Sequence, residues 1–503
     1  MIKNACDYHD FTSYHRYKMG GHALDWSNQP SSFKRYEGLK TLQLEDTSDL
    51  PQESLSELLK DEQSKASKQI DLRDLSRILR LSHCLTHKQK SGTDYFYFRN
   101  VASAGALYPF EIYFASVDVL DLEQGLYHHS VADQSIALLR KGNCLDALST
   151  EIQFQRQGPP SLFFFLTAIF FRSAWKYRER AFRYHLLDTG HLAENLILAL
   201  GSAGLNFELS YDFNDSAINE LLVINVKKEV CLAAVKVFSK DFFGETPRSV
   251  LEQPSTDLQR FSSCASEEKH YPTISAIHDI TSVKSTLPGI DLRRDQDLFS
   301  KDSLEMIKLE SVGKSPELIN YSQALLNRRS RRNFIRQTIP ANTFSWLLSC
   351  FTQEASPEVK KISWRHFLTM GVLIADVEGI VPGFYLIEPY NGALRLVRSG
   401  LLTEEMAHIC LDQMWLSNCS CHFLFLADLS ALEEEFGPRS YRYVMLEAGR
   451  QGQLLYLAAE SIKLGCCGIG AFYDSEAREF LNLRSSVRLL YLVSFGSLTK
   501  AFA

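Results

Sequence analysis

The sequence predicts an α+β fold laid down twice in one chain, each half a mainly antiparallel sheet flanked by helices. Three observations predict it. First, residues 180–184 read RAFRY and residues 439–443 read RSYRY, an offset of 259 (439 − 180). The same register pairs Leu187 with Leu446, Gly190 with Gly449, Leu196 with Leu455 and Ala199 with Ala458. Second, a separate block agrees: GLYHH at Gly125 matches GFYLI at Gly383, and Arg140 matches Arg398, both at offset 258 (383 − 125). Two blocks at one register mark a duplicated domain. Third, helical and strand-like periods mix without regular βαβ alternation, which points to an α+β sandwich in each half.

Taken in order, the first half runs over residues 1–238. Residues 72–81 (LRDLSRILRL) carry leucine and isoleucine at helical spacing. Residues 110–117 alternate like a strand, and 126–139 read as a hairpin. The run LFFFLTAIFF at 162–171 is too short to cross a bilayer as a helix, and its aromatic content suits a buried strand. Residues 183–200 form a long buried helix, and 224–237 end as a strand. Residues 239–314 read as a connector, mostly polar, with Pro247, Pro254, Pro272 and Pro288 and little periodicity, wrapping over the surface. The second half covers 315–503. It has short helices at 318–326 and 343–351, strands at 367–375, 383–387 and 487–495, and the second long helix at 443–464.

Bulk properties bound the function. A chain of 503 residues exceeds one ordinary core. Hydrophobic content of 45% and charged content of 23% are those of a soluble globular protein, so no membrane association is expected. A net charge of −6 offers no basic face for nucleic acid. The start, MIKNACDYHDF, lacks a basic region followed by an apolar run, so no secretory signal is expected. The eleven cysteines are scattered without metal-ligand spacing. Reduced thiols in a cytoplasmic protein, with no metal, are the expectation.

Four motifs carry chemistry. Arg328-Arg329-Ser330-Arg331-Arg332-Asn333-Phe334 offers planar donors and a hydroxyl, the set a phosphate monoester needs, though short basic runs are more often solvated surface. Residues 464–474 (LGCCGIGAFYD) place three glycines after a long helix, where one would suffice as a cap. Residues 99–109 (RNVASAGALYP) hold a small-residue stretch that can lie flat beneath an aromatic ring, or form a plain turn. Lys176-Tyr177 offers two titratable groups for acid–base work, or an exposed lysine beside a packed tyrosine.

In this order the motifs, with Tyr8-His9, DWSNQP at 25–30 and WKYRERAFRYHLLDTGH at 175–191, resemble the FMN-dependent nitroreductase superfamily. More narrowly they resemble a tandem form of its SagB/ThcOx-type dehydrogenases. The resemblance implies one FMN per chain, drawn from both halves of an intramolecular pseudo-dimer. It assigns the phosphate grip to Arg328, Arg329, Ser330 and Arg332, and the loop facing flavin N5 to Gly468, Ile469 and Gly470, with Lys500 added. It assigns the partner segment to Ala102, Ser103, Ala104 and Gly105, and the azoline-oxidising pair to Lys176 and Tyr177. Each half has lost what the other keeps. At the grip's counterpart the first half reads Asp10-Phe11-Thr12-Ser13, and it has NFELS at 206–210 in place of GIG. The second half has KISWRHF at 361–367 in place of SAGALYP, and Glu435-Phe436 in place of Lys176-Tyr177. The implied activity is dehydrogenation of a peptide-derived azoline, or a small heterocycle, to an azole, with dioxygen reoxidising the flavin. A cyclodehydratase or carrier protein delivers the substrate. An NAD(P)H-dependent nitro- or quinone-reductase and a non-catalytic flavin-binding component are the other readings. A monomer with an internal pseudo-dimer and a homodimer both satisfy the pairing.

Overall fold

The computed structural model describes all residues except 1, 22, 47–48, 61–68, 92–93, 149, 155–157, 239–250, 255–256, 283–305, 310–314, 353–366, 390–391 and 500–503. The chain divides into two compact units. One comprises Ala23–Glu53 and Lys60–Lys284; the other comprises Met1–His22, Ser54–Leu59 and Ser285–Ala503.

The earlier unit is built on seven strands: β1 (Thr41–Gln43), β2 (Phe110–Ser116), β3 (Gly125–Ser130), β4 (Ser135–Lys141), β5 (Pro160–Ile169), β6 (Phe207–Ser210) and β7 (Glu229–Phe238). Their order is β1-β4-β3-β2-β5-β7-β6. The later unit has β8 (Met306–Ile307), β9 (Thr369–Ile374), β10 (Gly383–Ile387), β11 (Leu394–Ser399), β12 (Cys421–Asp428), β13 (Gly465–Ile469) and β14 (Val487–Gly496). Their order is β8-β11-β10-β9-β12-β14-β13, the first order with seven added to each label. Every pairing in both sheets is antiparallel. Parallel pairing lies elsewhere, between Ile70–Asp71 and Val119–Leu120 and in isolated bridges at Tyr14–Tyr473 and Ile339–Val377. Each unit also carries a 22-residue helix, Ala181–Ser202 and Ser440–Ser461, at the 259 register.

The repeated blocks have a shared physical cause. A Cβ on Gly125 would sit 2.6 Å from the backbone oxygen of Arg140, and one on Gly383 would sit 2.7 Å from that of Arg398. Both glycines therefore permit close strand approach, and both lie beside a bulge, at Leu126/Tyr127 and at Phe384/Tyr385. Arg140 Nη1 donates to Leu221 O, the last residue of helix Asp215–Leu221. Arg398 Nη1 donates to Phe480 O, the last residue of helix Asp474–Phe480. Each arginine caps an equivalent helix from its sheet. Beneath β2 and β5, Tyr113, Phe163 and Phe165 build one core; around β12 and β14, Leu424, Leu426 and Leu492 build the other.

Several expectations are adjusted. The apolar run at 162–171 is not all strand: Phe170 and Phe171 open the helix Phe170–Tyr177. The connector is not featureless where it is described. It forms a 3-10 turn at Gln259–Ser262 and a helix at Pro272–Thr281, which starts on proline and buries Ile274 and Ile277. The first 22 residues pack in the unit with the later half: helix Ala5–Phe11 buries Tyr8 and His9, with Tyr441 3.2 Å from His9 Nδ1. Asp10 of that helix pairs with Arg488 at 2.9 Å.

Candidate active site

In the earlier unit, helix Phe170–Tyr177 follows β5 directly. Its buried face carries Phe170, Phe171, Ala174 and Trp175, and its half-buried end carries Lys176 and Tyr177. Lys176 sits in the last turn, where a cation meets the helix dipole favourably. Lys176 Nζ lies 5.4 Å from the centre of the Tyr177 ring, which packs on Tyr184 at 4.4 Å. Trp175 donates from Nε1 to Asp25 O at 2.9 Å and meets Trp26 edge-on, so the DWSNQP segment braces this helix. Arg172, one turn earlier, donates to Glu111 Oε1 at 2.6 Å and to Tyr108 O at 3.0 Å. Burial pushes the Glu111 carboxyl up, but Arg172 and His128 more than offset it and hold it below the usual carboxylate range.

The structure brings the small-residue segment to this pair. Gly105 has φ 65°, and a Cβ there would lie 2.9 Å from Tyr177 Oη and 3.3 Å from Lys176 Nζ. Its backbone therefore lies directly on the two side chains. Ser103 Oγ donates to Asp188 at 2.6 Å and accepts from Tyr108 N at 2.9 Å. Ala104 N donates to the same carboxylate at 3.1 Å. Ala102 is buried at the head of the segment. Burial raises Asp188 to about 7, although Ser103 and Ala104 pull the other way. Asp188 was not singled out from sequence; its signal is a carboxylate inside an otherwise largely apolar, buried helix.

In the later unit, helix Tyr321–Asn327 is capped by Asn320 and Gln323 reciprocally and ends at Arg328. Arg329 turns Nη1 back onto Leu326 O and Arg328 O, serving the helix end. The Arg328 guanidinium is buried 5.3 Å from the Tyr456 ring centre. Arg332 lies 5.9 Å from the Trp415 ring centre. Burial pushes the Cys467 thiol up, while the Arg332 guanidinium beside it pulls the other way. Tyr456 ties the cluster to the glycine motif. Its Oη lies 2.9 Å from Ser330 Oγ and accepts from Gly468 N at 2.6 Å. Burial holds its phenol well above its ordinary pKa, so it stays neutral and can donate onward to Ser330, freeing the serine O–H. Sequence reasoning missed Tyr456; at the 259 register it replaces Ile197.

The glycine motif has packing causes. Lys463, at φ 57°, takes the left-handed position after helix Ser440–Ser461, not a glycine. Gly465 and Gly468 lie within β13, and Ile469 ends it, with Gly470 following. A Cβ on Gly468 would fall 1.7 Å from Tyr491 Oη, and one on Gly465 2.3 Å from Leu498. Lys500 and residues 361–366 lie outside the described residues.

A cavity of about 770 Å³ opens on the other end of helix Phe170–Tyr177, lined by Phe170, Phe171, Lys228, Tyr271 and His278 and by none of the predicted site residues. Among the described residues no helix is long and apolar enough to cross a membrane, and no cluster could hold a metal ion. All eleven cysteines are unbridged and ten are buried.

Residues 44–237 and 325–497 both match the nitroreductase family, one match in each half. The chain belongs to the nitroreductase family. A nitroreductase-family protein of Methanocaldococcus jannaschii is 30% identical over 191 residues, 37% of this chain and 90% of that protein. The trifolitoxin-processing protein TfxB of Rhizobium leguminosarum bv. trifolii is 29% identical over 143 residues, 27% of this chain and 38% of that protein. The crystal structure of a nitroreductase-like protein of Anabaena variabilis shares the fold over 98% of this chain and 99% of its own, with TM-score 0.78 at 24% identity.

Members of this family generally bind FMN. The residues present fit its phosphate. The cluster at 328–332 offers four guanidinium groups and the Ser330 hydroxyl, whose O–H can donate while its oxygen accepts from Tyr456. Arg331 Nε is buried with no hydrogen-bond partner among the described residues. A nearby acid, Glu460, is pushed up by burial, against the pull of Arg331, Arg328 and Arg329.

Proposed function

We propose that this family member is an FMN-dependent dehydrogenase that oxidises a peptide-derived azoline to an azole. FMN, when bound, supplies the two-electron acceptor, and dioxygen restores it. Arg328, Ser330 and Arg332 would hold the phosphate, with Arg329 and Arg331 adding charge and Tyr456 orienting Ser330. Gly468, Ile469, Gly470 and Lys500, and likewise Ala102, Ser103, Ala104 and Gly105, are the residues that the family resemblance would assign to the flavin. Tyr177 or Lys176 would take the substrate's ring proton, leaving two electrons and the second hydrogen for the flavin.

The observation that carries this reading is the contact of Gly105 with Tyr177 and Lys176, which sets a titratable pair beside a side-chain-free backbone surface. The loss of that pair from the second half, where Glu435 and Phe436 stand, supports one working site and one FMN per chain. The similarity to TfxB, a trifolitoxin-processing protein, supports a peptide as substrate. The similarity to the Methanocaldococcus protein favours a second reading, an NAD(P)H-dependent nitro- or quinone-reductase.

Purified protein tests these readings together. One flavin per chain by absorbance, with oxidation of an azoline-bearing peptide under air, is the expected result. Two tightly bound FMN per chain would refute the single site. Flavin bleaching by NAD(P)H without azoline oxidation would replace the first reading by the second. Flavin bound without either reaction would leave a binding component.

A further inference from the structure

Three of the six residues from Ser103 to Tyr108 have positive φ: Gly105 at 65°, Ala106 at 53° and Tyr108 at 47°. For alanine and tyrosine this region costs about 1–2 kcal/mol each. Such a segment does not hold its shape unaided. Its ties are buried ones. The Asp188 carboxylate accepts from Ser103 Oγ at 2.6 Å and from Ala104 N at 3.1 Å. Ser103 Oγ accepts from Tyr108 N at 2.9 Å, which closes the segment on itself. Arg172 holds Tyr108 O at 3.0 Å from the helix that carries Lys176 and Tyr177.

Asp188 is only 3% exposed, in the middle of the helix Ala181–Ser202. Among the described residues, all its hydrogen bonds come from Ser103 and Ala104. Keeping a carboxyl there is costly, as its rise to about 7 through burial shows. The second half indicates what the helix position does without the segment. Glu447, at the 259 register, accepts from Arg450 at 2.8 Å and from Gln451 at 2.5 Å, both on its own helix. The acid is kept in both halves, and in the first it ties down Ser103 and Ala104.

We infer that Asp188 is a positioning residue, holding Ser103–Gly105 in the strained shape that lays Gly105 against Lys176 and Tyr177. Its effect on turnover rests on the dehydrogenase reading; its hold on the segment does not.

Hydrogen exchange on the flavin-loaded full-length chain tests it, comparing wild type with Asp188→Ala, Asp188→Asn and Ser103→Ala. Asp188→Ala should speed amide exchange over residues 103–108 about 10-fold or more, leaving β2 and β5 unchanged. Asp188→Asn, whose side-chain oxygen still accepts, should keep most of the protection. The kcat for azoline oxidation should fall about 10-fold in Asp188→Ala, with flavin content retained, and recover in Asp188→Asn. If Asp188→Ala does not fold, Ser103→Ala removes the 2.6 Å contact without touching the helix and should show the same local pattern. Unchanged exchange over 103–108 in the alanine variants that fold would overturn the inference, as would protection lost evenly across the unit. Localised exchange with unaltered kcat overturns the positioning of Lys176 and Tyr177 and leaves only an anchor, whereas a wild type that oxidises no azoline sinks the dehydrogenase reading and leaves the anchor standing.

Discussion

Two helices at one register end differently. Phe170–Tyr177 and Leu429–Phe436 are both eight residues long, and each leads toward a 22-residue helix. The first ends in Lys176-Tyr177, half-buried against Gly105. The second ends in Glu435-Phe436, with Phe436 buried against Phe367 at 4.5 Å. The residue after each has positive φ: Gly437 at 76°, where glycine is at ease, and Arg178 at 49°, where arginine is not. The same contrast recurs at Asp188 and Glu447, and at Ile197 and Tyr456. Meanwhile Gly125 and Gly383, and Arg140 and Arg398, serve identical ends in both halves. Sheet geometry was kept twice, whereas the reactive residue types differ from one half to the other.

The largest expected effect comes from writing the second half's residues into the first. Lys176→Glu with Tyr177→Phe should lower azoline turnover by about 10²–10⁴-fold while the flavin spectrum stays. Steady-state rates on flavin-loaded protein read this out, and undiminished turnover would break the contrast. Next come the glycines that do not differ. Gly125→Ala and Gly383→Ala should each destabilise by about 3 kcal/mol, because the new methyl meets a paired strand's carbonyl. Denaturant midpoints should show the two losses alike; a loss in one half alone would mean the sheets are not equivalent.

Asp188 gives a pH dependence. Its pKa in the folded protein, about 7, lies above its ordinary value of 3.8. The stability tied to its neutral form is therefore full below about pH 4 and is lost as pH rises through 7. Asp188→Asn should flatten thermal stability between pH 4 and 7, and an unchanged profile would count against a buried carboxyl. Tyr456→Phe should cost about 1–2 kcal/mol, having left Gly468 N without its acceptor, and should weaken FMN retention. Ile197→Val, at the equivalent place, should leave flavin content alone. Smallest is Arg178→Gly, which should stabilise by about 1 kcal/mol through relief of its φ.

Much of this was legible in the residues. The 259 register predicted the two long helices, and the structure places both at it. Hydrophobic period placed β2, β3, β4, β10 and β14 within a few residues. The helix Pro272–Thr281 was not legible, because a polar, proline-bearing stretch hides the few apolar residues that bury. Asp188 and Tyr456 were not legible either. Each is one of several polar residues in a long buried helix, and its partners lie 84 and 126 positions away, at Ala104 and Ser330. The glycines at 465 and 468 were read as a loop for a ligand, whereas β13 uses them to admit Leu498 and Tyr491.

The sequence by itself determined the duplication, the α+β class, and which half retains which reactive residue types, because periodicity and identity are written locally along the chain. Only the tertiary structure decided that Gly105 lies on Lys176 and Tyr177, that Asp188 ties the segment down, and that Tyr456 joins Ser330 to Gly468. Those contacts join residues far apart in the chain, and a hydrogen bond or a close approach depends on where folding brings two groups, which no local pattern records.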